Sequence, residues 1–267
     1  MNFRALLPVA GLLLALASAV SAKLPDTVFV DELTWTELRE QIAAGKTTIL
    51  LPIGGTEQNG PHMVLGKHNV RAKALAEKIA RALGNALVAP VMAYVPEGTI
   101  EPPSGHMRFP GTVSISSSAF EQVLESAARS FKASGFHDVV FLGDHGGYQS
   151  SEARVAARLN REWKSTATRV HALPEYYAAA AGGYARQLES RGYSAAEIGS
   201  HAGLADTSLA LAIDPHLVRP EELAAAHDPV TGVYGDARRA SADVGQAGVD
   251  FVVSQSVAAI KLATARR

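Results

Sequence analysis

Residues 47–69 read TTILLPIGGTEQNGPHMVLGKHN. Thr47 to Ile53 is a short apolar run with several β-branched side chains, the pattern of a parallel strand buried on both faces. Gly54 to Asn69 is glycine-rich and polar, the composition of a loop leaving the carboxyl end of that strand. In open α/β sheets, ligands bind beyond those carboxyl ends. Glu57, His62 and His68 stand in this loop. Each can ligate a metal or exchange a proton, and an amide, Asn59, sits among them.

The flanking sequence supplies the rest of an alternating pattern. Thr34 with Glu37 forms a capping box, Trp35, Leu38 and Ile42 follow at helical spacing, and Gly45 stops the helix. Val70 to Leu83 is periodic as a helix and ends at Gly84, and Ala86 to Val91 is the next strand. Ser118 with Glu121 reads as a second capping box, opening a helix that runs to Ser134 before Gly135. Asp138 to Leu142 (DVVFL) is another buried strand, Gln149 to Trp163 a helix, Arg169 to Leu173 a strand and Ala242 to Ala263 a long helix. Strands alternating with helices predict a layered α/β fold, its mostly parallel sheet covered by helices on both faces. Tyr176 to Ala185 is Ala-rich, and no internal repeat is present.

Arg4, the apolar run Ala5 to Ala17 and the small residues Val20-Ser21-Ala22 read as a secretory signal over residues 1–22. The competing reading is a membrane anchor, but the apolar run falls short of the roughly 20 residues a spanning helix needs. Residues 23–267 then form a single α/β domain, expected in the periplasm or outside the cell. The chain has no cysteine, which excludes thiolate chemistry. Its net charge is −1, with no block of like charges, so neither a nucleic-acid groove nor a lipid surface is expected as a partner.

A second loaded loop, Gly143-Asp144-His145-Gly146-Gly147, follows DVVFL. Glu57, His68 and His145 together make two imidazoles and one carboxylate, a set that suits one divalent metal with open positions. The competing reading is ordinary loop histidines that share strand ends, and no short-range motif such as HExxH decides between them. His201 and Asp206, in His201-Ala202-Gly203-Leu204-Ala205-Asp206-Thr207-Ser208, read either as a proton-handling pair or as a helix start with a plain polar contact. In Ser104 to Thr112, His106 and Arg108 are candidates to reach a substrate, and Phe109-Pro110-Gly111 fixes a turn before a strand at Val113. No GxSxG elbow is present, which argues against a serine hydrolase.

These motifs, in this order, resemble the creatininase family of metal-dependent amidohydrolases. That family carries a first loop near E-Q-H-G-P-H-L-P-L-G-T-D, then H-F-P-G-T, a strand-end N-G-H-G-G-N, H-A-G-x-x-E-T-S and a late G-x-x-G-D. The matching residues here are Glu57 to His62, His106 with Phe109 to Thr112, Gly143 to Gly147, His201 to Ser208 and Gly232 to Asp236. The resemblance implies a layered α/β fold, an assembly that is often hexameric, and a two-metal centre. Its first metal takes the loop Glu and the strand-end His. Its second takes the loop His and a further Glu, and the loop's terminal Asp bridges both.

This chain departs from that pattern in one direction. Asn59 replaces the second-metal His, His68 replaces the bridging Asp, and Gly147 and Leu204 stand where the further Glu occurs. The resemblance thus implies one zinc, manganese or iron ion per chain, held by Glu57, His68 and His145. The expected reaction is hydrolysis of a non-peptide C–N bond in a small molecule: an amide, cyclic amide or formamide. The metal activates water, His201 or Asp206 handles the proton, and Asn59 or the amides of Gly146 and Gly147 stabilise the oxyanion. Two alternatives stand beside it: a non-catalytic periplasmic protein that binds a metal or small molecule through a degenerate site, and iron redox chemistry on the same ligands. Export predicts a mature chain beginning at Lys23. Intact mass of the protein recovered from the periplasm should lack the first 22 residues, and a full-length species retained in the membrane would refute the signal reading.

Overall fold

The apolar run after Lys46 becomes strand β1, Thr48–Ile53, with all six residues buried. The computed structural model describes residues 24–265; the signal segment and its cleavage point lie outside the described residues. The sheet is completed by β2 (Ala86–Val88), β3 (Asp138–Gly143) and β4 (Arg169–Ala172) in the order β2-β1-β3-β4. Every neighbouring pair is parallel. β2 is shorter than the expected Ala86 to Val91 because Pro90 has no N–H to give to a ladder.

Nine α-helices are described: α1 (Trp35–Ala43), α2 (Lys67–Leu83), α3 (Ser117–Ser134), α4 (Gln149–Glu162), α5 (Pro174–Ala178), α6 (Tyr184–Ser190), α7 (Ala195–Ile198), α8 (Leu204–Ile213) and α9 (Ala242–Thr264). The Thr34–Glu37 capping box forms as expected at α1. At α3 the cap is Ser116, not Ser118, because the chain is still extended at Ser116 and its hydroxyl accepts from the Ala119 N–H. Glu121, expected to close a box there, instead accepts from Arg154 of α4. No strand forms at Val113, which makes only an isolated bridge to Thr56. Helix α2 begins at Lys67, three residues before the expected start, and so carries His68 out of the loop and into its first turn.

Side chains alternate across a strand, so each buried strand feeds two cores. Leu50, Val140 and Leu142 point to the face covered by α2, α8 and α9, where they meet Leu75, Ile79, Leu209 and Val252. Ile49, Leu51, Ile53, Val139 and Phe141 point to the opposite face, against Phe120 and Leu124 of α3 and Val155 and Leu159 of α4. Among the described residues no helix is long and apolar enough to cross a membrane. Phe141 is fully buried at the centre of the second core. Phe141→Ala should cost about 3–5 kcal/mol through the cavity it leaves, read as a lower urea midpoint with an unchanged slope.

Candidate metal and active site

The two loaded loops meet because β1 and β3 are neighbours and end level, Ile53 opposite Gly143. The Asp144 N–H donates to the Ile53 carbonyl at 3.0 Å. Tyr148 locks the junction, its hydroxyl donating toward the carbonyls of Ile53 (2.9 Å) and Gly54 (2.7 Å). Beyond Ile53 the chain passes so close to α2 that a Cβ on Gly54 would sit 2.2 Å from Asn69 Oδ1. Glycine alone permits that approach.

The first turn of α2 carries Lys67, His68 and Arg71, all buried. Three carboxylates converge on them. His68 Nε2 lies 2.7 Å from Glu57 Oε1, and its Nδ1 lies 2.6 Å from Asp144 Oδ2. Arg71 reaches Asp144 Oδ2 (2.9 Å) and Asp206 Oδ1 (2.5 Å), and Lys67 pairs with Asp206 Oδ2. Tyr176 donates to the remaining oxygen of Asp144. Burial works to raise Asp144 and Asp206, but their cationic partners outweigh it and hold both below the usual carboxylate range. The Glu57 carboxyl is held low in the same way, burial being outweighed by His68, Lys67 and His145.

Around the far side of Glu57 stand three more imidazoles. Glu57 Oε2 lies 3.3 Å from His106 Nε2 and 3.7 Å from His145 Nε2, and Oε1 lies 3.8 Å from His201 Nδ1. Burial pushes both His145 and His201 down to about 4, so at neutral pH each ring is uncharged with a lone pair to offer. A residue the sequence reading missed completes the group. Glu97 is buried, with Oε2 3.5 Å from His145 Nδ1. Burial and the Glu57 charge push its carboxyl up to about 9.

Among the described residues, Glu57 Oε2 and both oxygens of Glu97 have no hydrogen-bond partner. Glu97 is held protonated beside the Glu57 carboxylate, so a cation bound between them would take the place of that proton. The donor atoms of Glu57, Glu97 and His145 lie within 4.8 Å of one another, as do those of Glu57, His106 and His201. A divalent metal fits this set.

The expected site residues therefore separate. Glu57, His68 and His145 are brought together, Glu57 standing between the other two, but among the described residues the three-residue donor groups around Glu57 take in His145 and not His68. Both nitrogens of His68 lie against carboxylate oxygens of the clamp, and Nδ1 also lies 3.1 Å from Arg71 Nη2. Asp206, which also lines the cavity, pairs with Lys67 and Arg71 and accepts from the Ala202 N–H, contacts that anchor α2. Asn59 is fully buried, its amide donating to the carbonyls of Glu57 and Val64, and its Oδ1 has no hydrogen-bond partner among the described residues. The Gly147 N–H donates to His145 Nδ1 and is not free for an oxyanion, while Gly146 and Arg108 are exposed. A Cβ on Gly147 would lie 3.5 Å from the Pro96 carbonyl, so the segment bearing Glu97 runs where a longer side chain at 147 would extend.

His68, His106, His145 and His201 line one side of a cavity of about 450 Å³. Ala181, Ile198 and Leu209 add apolar surface to its lining. Tyr177 also lines it, from the Ala-rich stretch to which the sequence reading assigned no role. Burial, with the Asp206 charge, keeps its phenol protonated and able to donate.

Over residues 31–260 the chain matches the family described as Creatininase: Creatinine amidohydrolase. It is 30% identical over 210 residues to the creatinine amidohydrolase of Pseudomonas putida, covering 77% of this chain and 78% of that one. It is also 30% identical over 193 residues to the mycofactocin precursor peptide peptidase of Mycolicibacterium smegmatis, 70% of this chain and 66% of that relative. The solved structure titled Creatininase Mn superposes with a TM-score of 0.72 at 26% identity, covering 89% of this chain and 99% of that chain.

The ion network also generates a stability test. Removing Asp206 strands the buried Lys67 and leaves Arg71 with one partner. Asp206→Ala should therefore lower the unfolding free energy by about 3–5 kcal/mol, measured by urea titration. A loss within ~0.5 kcal/mol, typical of a surface substitution, would show the network to be dispensable.

Proposed function

Since this chain belongs to the creatininase family, and is thereby a metal-dependent amidohydrolase, we propose that it hydrolyses a non-peptide C–N bond in a small molecule: an amide, a cyclic amide or a formamide. The observation that carries this reading is the buried pair Glu57 and Glu97, of which Glu57 Oε2 and both Glu97 oxygens have no hydrogen-bond partner, beside a neutral His145 that lines a cavity.

Glu57, Glu97 and His145 are the residues that would hold the metal. When bound, a zinc, manganese or iron ion supplies Lewis acidity, polarising an amide carbonyl and lowering the pKa of water. Tyr177 offers a hydroxyl donor to the amide as negative charge builds on its oxygen. Ala181, Ile198 and Leu209 give a bound substrate apolar surface from which water is displaced, which strengthens the polar contacts it makes. Lys67 and Arg71 line the cavity but are already neutralised by Asp206 and Asp144, so the site carries no unpaired positive wall to select an anionic substrate.

The sequence features at residues 1–22 support export to the periplasm or beyond the cell, and the family resemblance supports a homo-oligomer. Neither bears on the chemistry proposed for the site.

A panel of lactams, formamides and short peptides, assayed with and without a chelator, tests the reading. At least one lactam or formamide should be hydrolysed, and the chelator should abolish turnover. Tyr177→Phe should lower kcat about 10²-fold with metal content unchanged, the loss expected for one oxyanion donor. Metal retained with no turnover across the panel would favour the binding-protein alternative, and cleavage of peptides alone would overturn the non-peptide assignment.

A further inference from the structure

Given the reading of the site as hydrolytic, on which this rests, we propose that its substrate is a neutral amide, lactam or formamide carrying an extended apolar substituent. The small side chains of Ala180, Ala185 and Ala205 set how large that substituent can be.

The first observation is a continuous apolar surface. Ala180, Ala185, Ile198, Ala205 and Leu209 line the cavity, and all five belong to the first core or pack against it. They come from the turn before α6, from α6, from the end of α7 and from α8. Ala205 and Leu209 stand four residues apart, on one face of α8. The apolar lining is therefore the bared edge of a packed core, not a set of scattered alanines. Apolar surface left open beside polar groups marks a place for a ligand.

The second observation is the local winding of the chain. Between α5 and α6, Ala179–Gly183 forms a turn of π-helix. Such turns are rare and are frequent at functional sites. A Cβ on Gly183 would run into the ring of Phe251, so this turn lies pressed against α9. The same stretch carries Tyr177, Ala180 and Ala185 to one cavity. A Cβ on Gly146 would lie 2.7 Å from the Tyr177 hydroxyl, which places that phenol beside the turn that follows His145. Tyr177 thus joins the reacting end of the cavity to its alanine-lined part.

The third observation is size and charge. A volume of about 450 Å³ is in the range that encloses a drug-sized ligand, more than an unsubstituted amide fills. Lys67 and Arg71 are paired with Asp206, and Arg71 also with Asp144. His145 and His201 are uncharged. A charged substituent would lose its hydration and find no free counter-charge among these groups, whereas an alkyl or aryl group gains by leaving water. Alanine at 180, 185 and 205 keeps the volume open, and leucine at any of them would fill part of it.

The test is a chain-length series. N-alkylureas, neutral amide analogues that resist hydrolysis, are titrated calorimetrically from methyl to hexyl into the zinc-loaded protein. Kd should fall about fourfold per methylene until the cavity is filled. A hexyl chain ending in a carboxylate or an ammonium should bind no better than the methyl compound. Ala185→Leu and Ala205→Leu, each checked for folding by its melting curve, should flatten the series and weaken the hexyl compound about tenfold. Hydrolysis is followed separately as formate released from the matching N-alkylformamides, whose kcat/KM should rise with chain length in the same way. A Kd that ignores chain length, or folded leucine variants that keep the full slope, would overturn the subsite even where formamides are cleaved. A slope in Kd with no formate released from any member would leave the apolar subsite standing and overturn the hydrolytic reading beneath it.

Discussion

A histidine ring clamped between carboxylates from two different strand ends organises this protein. His68 sits between Glu57, on the loop after β1, and Asp144, at the end of β3, with the first turn of α2 behind it. A helix amino terminus favours anions, yet this one carries Lys67, His68 and Arg71. The arrangement is tolerable because Asp144, Asp206 and Glu57 close around it, since buried charge persists only when paired. Sheet, helix α2 and helix α8 are thereby held in one relative position.

That pairing divides the cavity electrostatically. Lys67 and Arg71 line it, but their charges are cancelled in place by Asp144 and Asp206. The imidazoles of His145 and His201 are uncharged because burial outweighs their carboxylate neighbours. Glu57 belongs to both halves: one oxygen anchors the clamp, and the other faces the unsatisfied side with Glu97. A cation at that point completes a charge balance that the protein by itself leaves open.

The similar proteins include a creatinine amidohydrolase and a peptidase, so one scaffold serves different C–N bonds in this family. In this chain the proposed ligand set differs from the family's positions while the scaffold is shared. A carboxylate missing from the strand-end turn at Gly147 is available instead from Glu97, whose segment passes beside that turn. Loss of a ligand at its usual sequence position is therefore a weak guide to loss of the metal.

The sequence by itself determined the layered architecture, because the periodicities of two and 3.6 are properties of local backbone geometry, and TTILLPI and DVVFL can be stable only as strands covered on both faces. It also determined that Glu57 and His145 stand at strand ends, because the turn glycines and the motif order are local too. Only the tertiary structure decided that those ends are adjacent, since the pairing of β1 with β3 depends on how the connecting helices pack and not on either strand. It likewise decided which polar groups are spent and which are free. His68 and Asp206 looked available along the chain, but burial obliged each to satisfy its hydrogen bonds internally. Glu97 is a single carboxylate in a turn-rich stretch, with no spacing to mark it, and its role follows entirely from what the fold places around it.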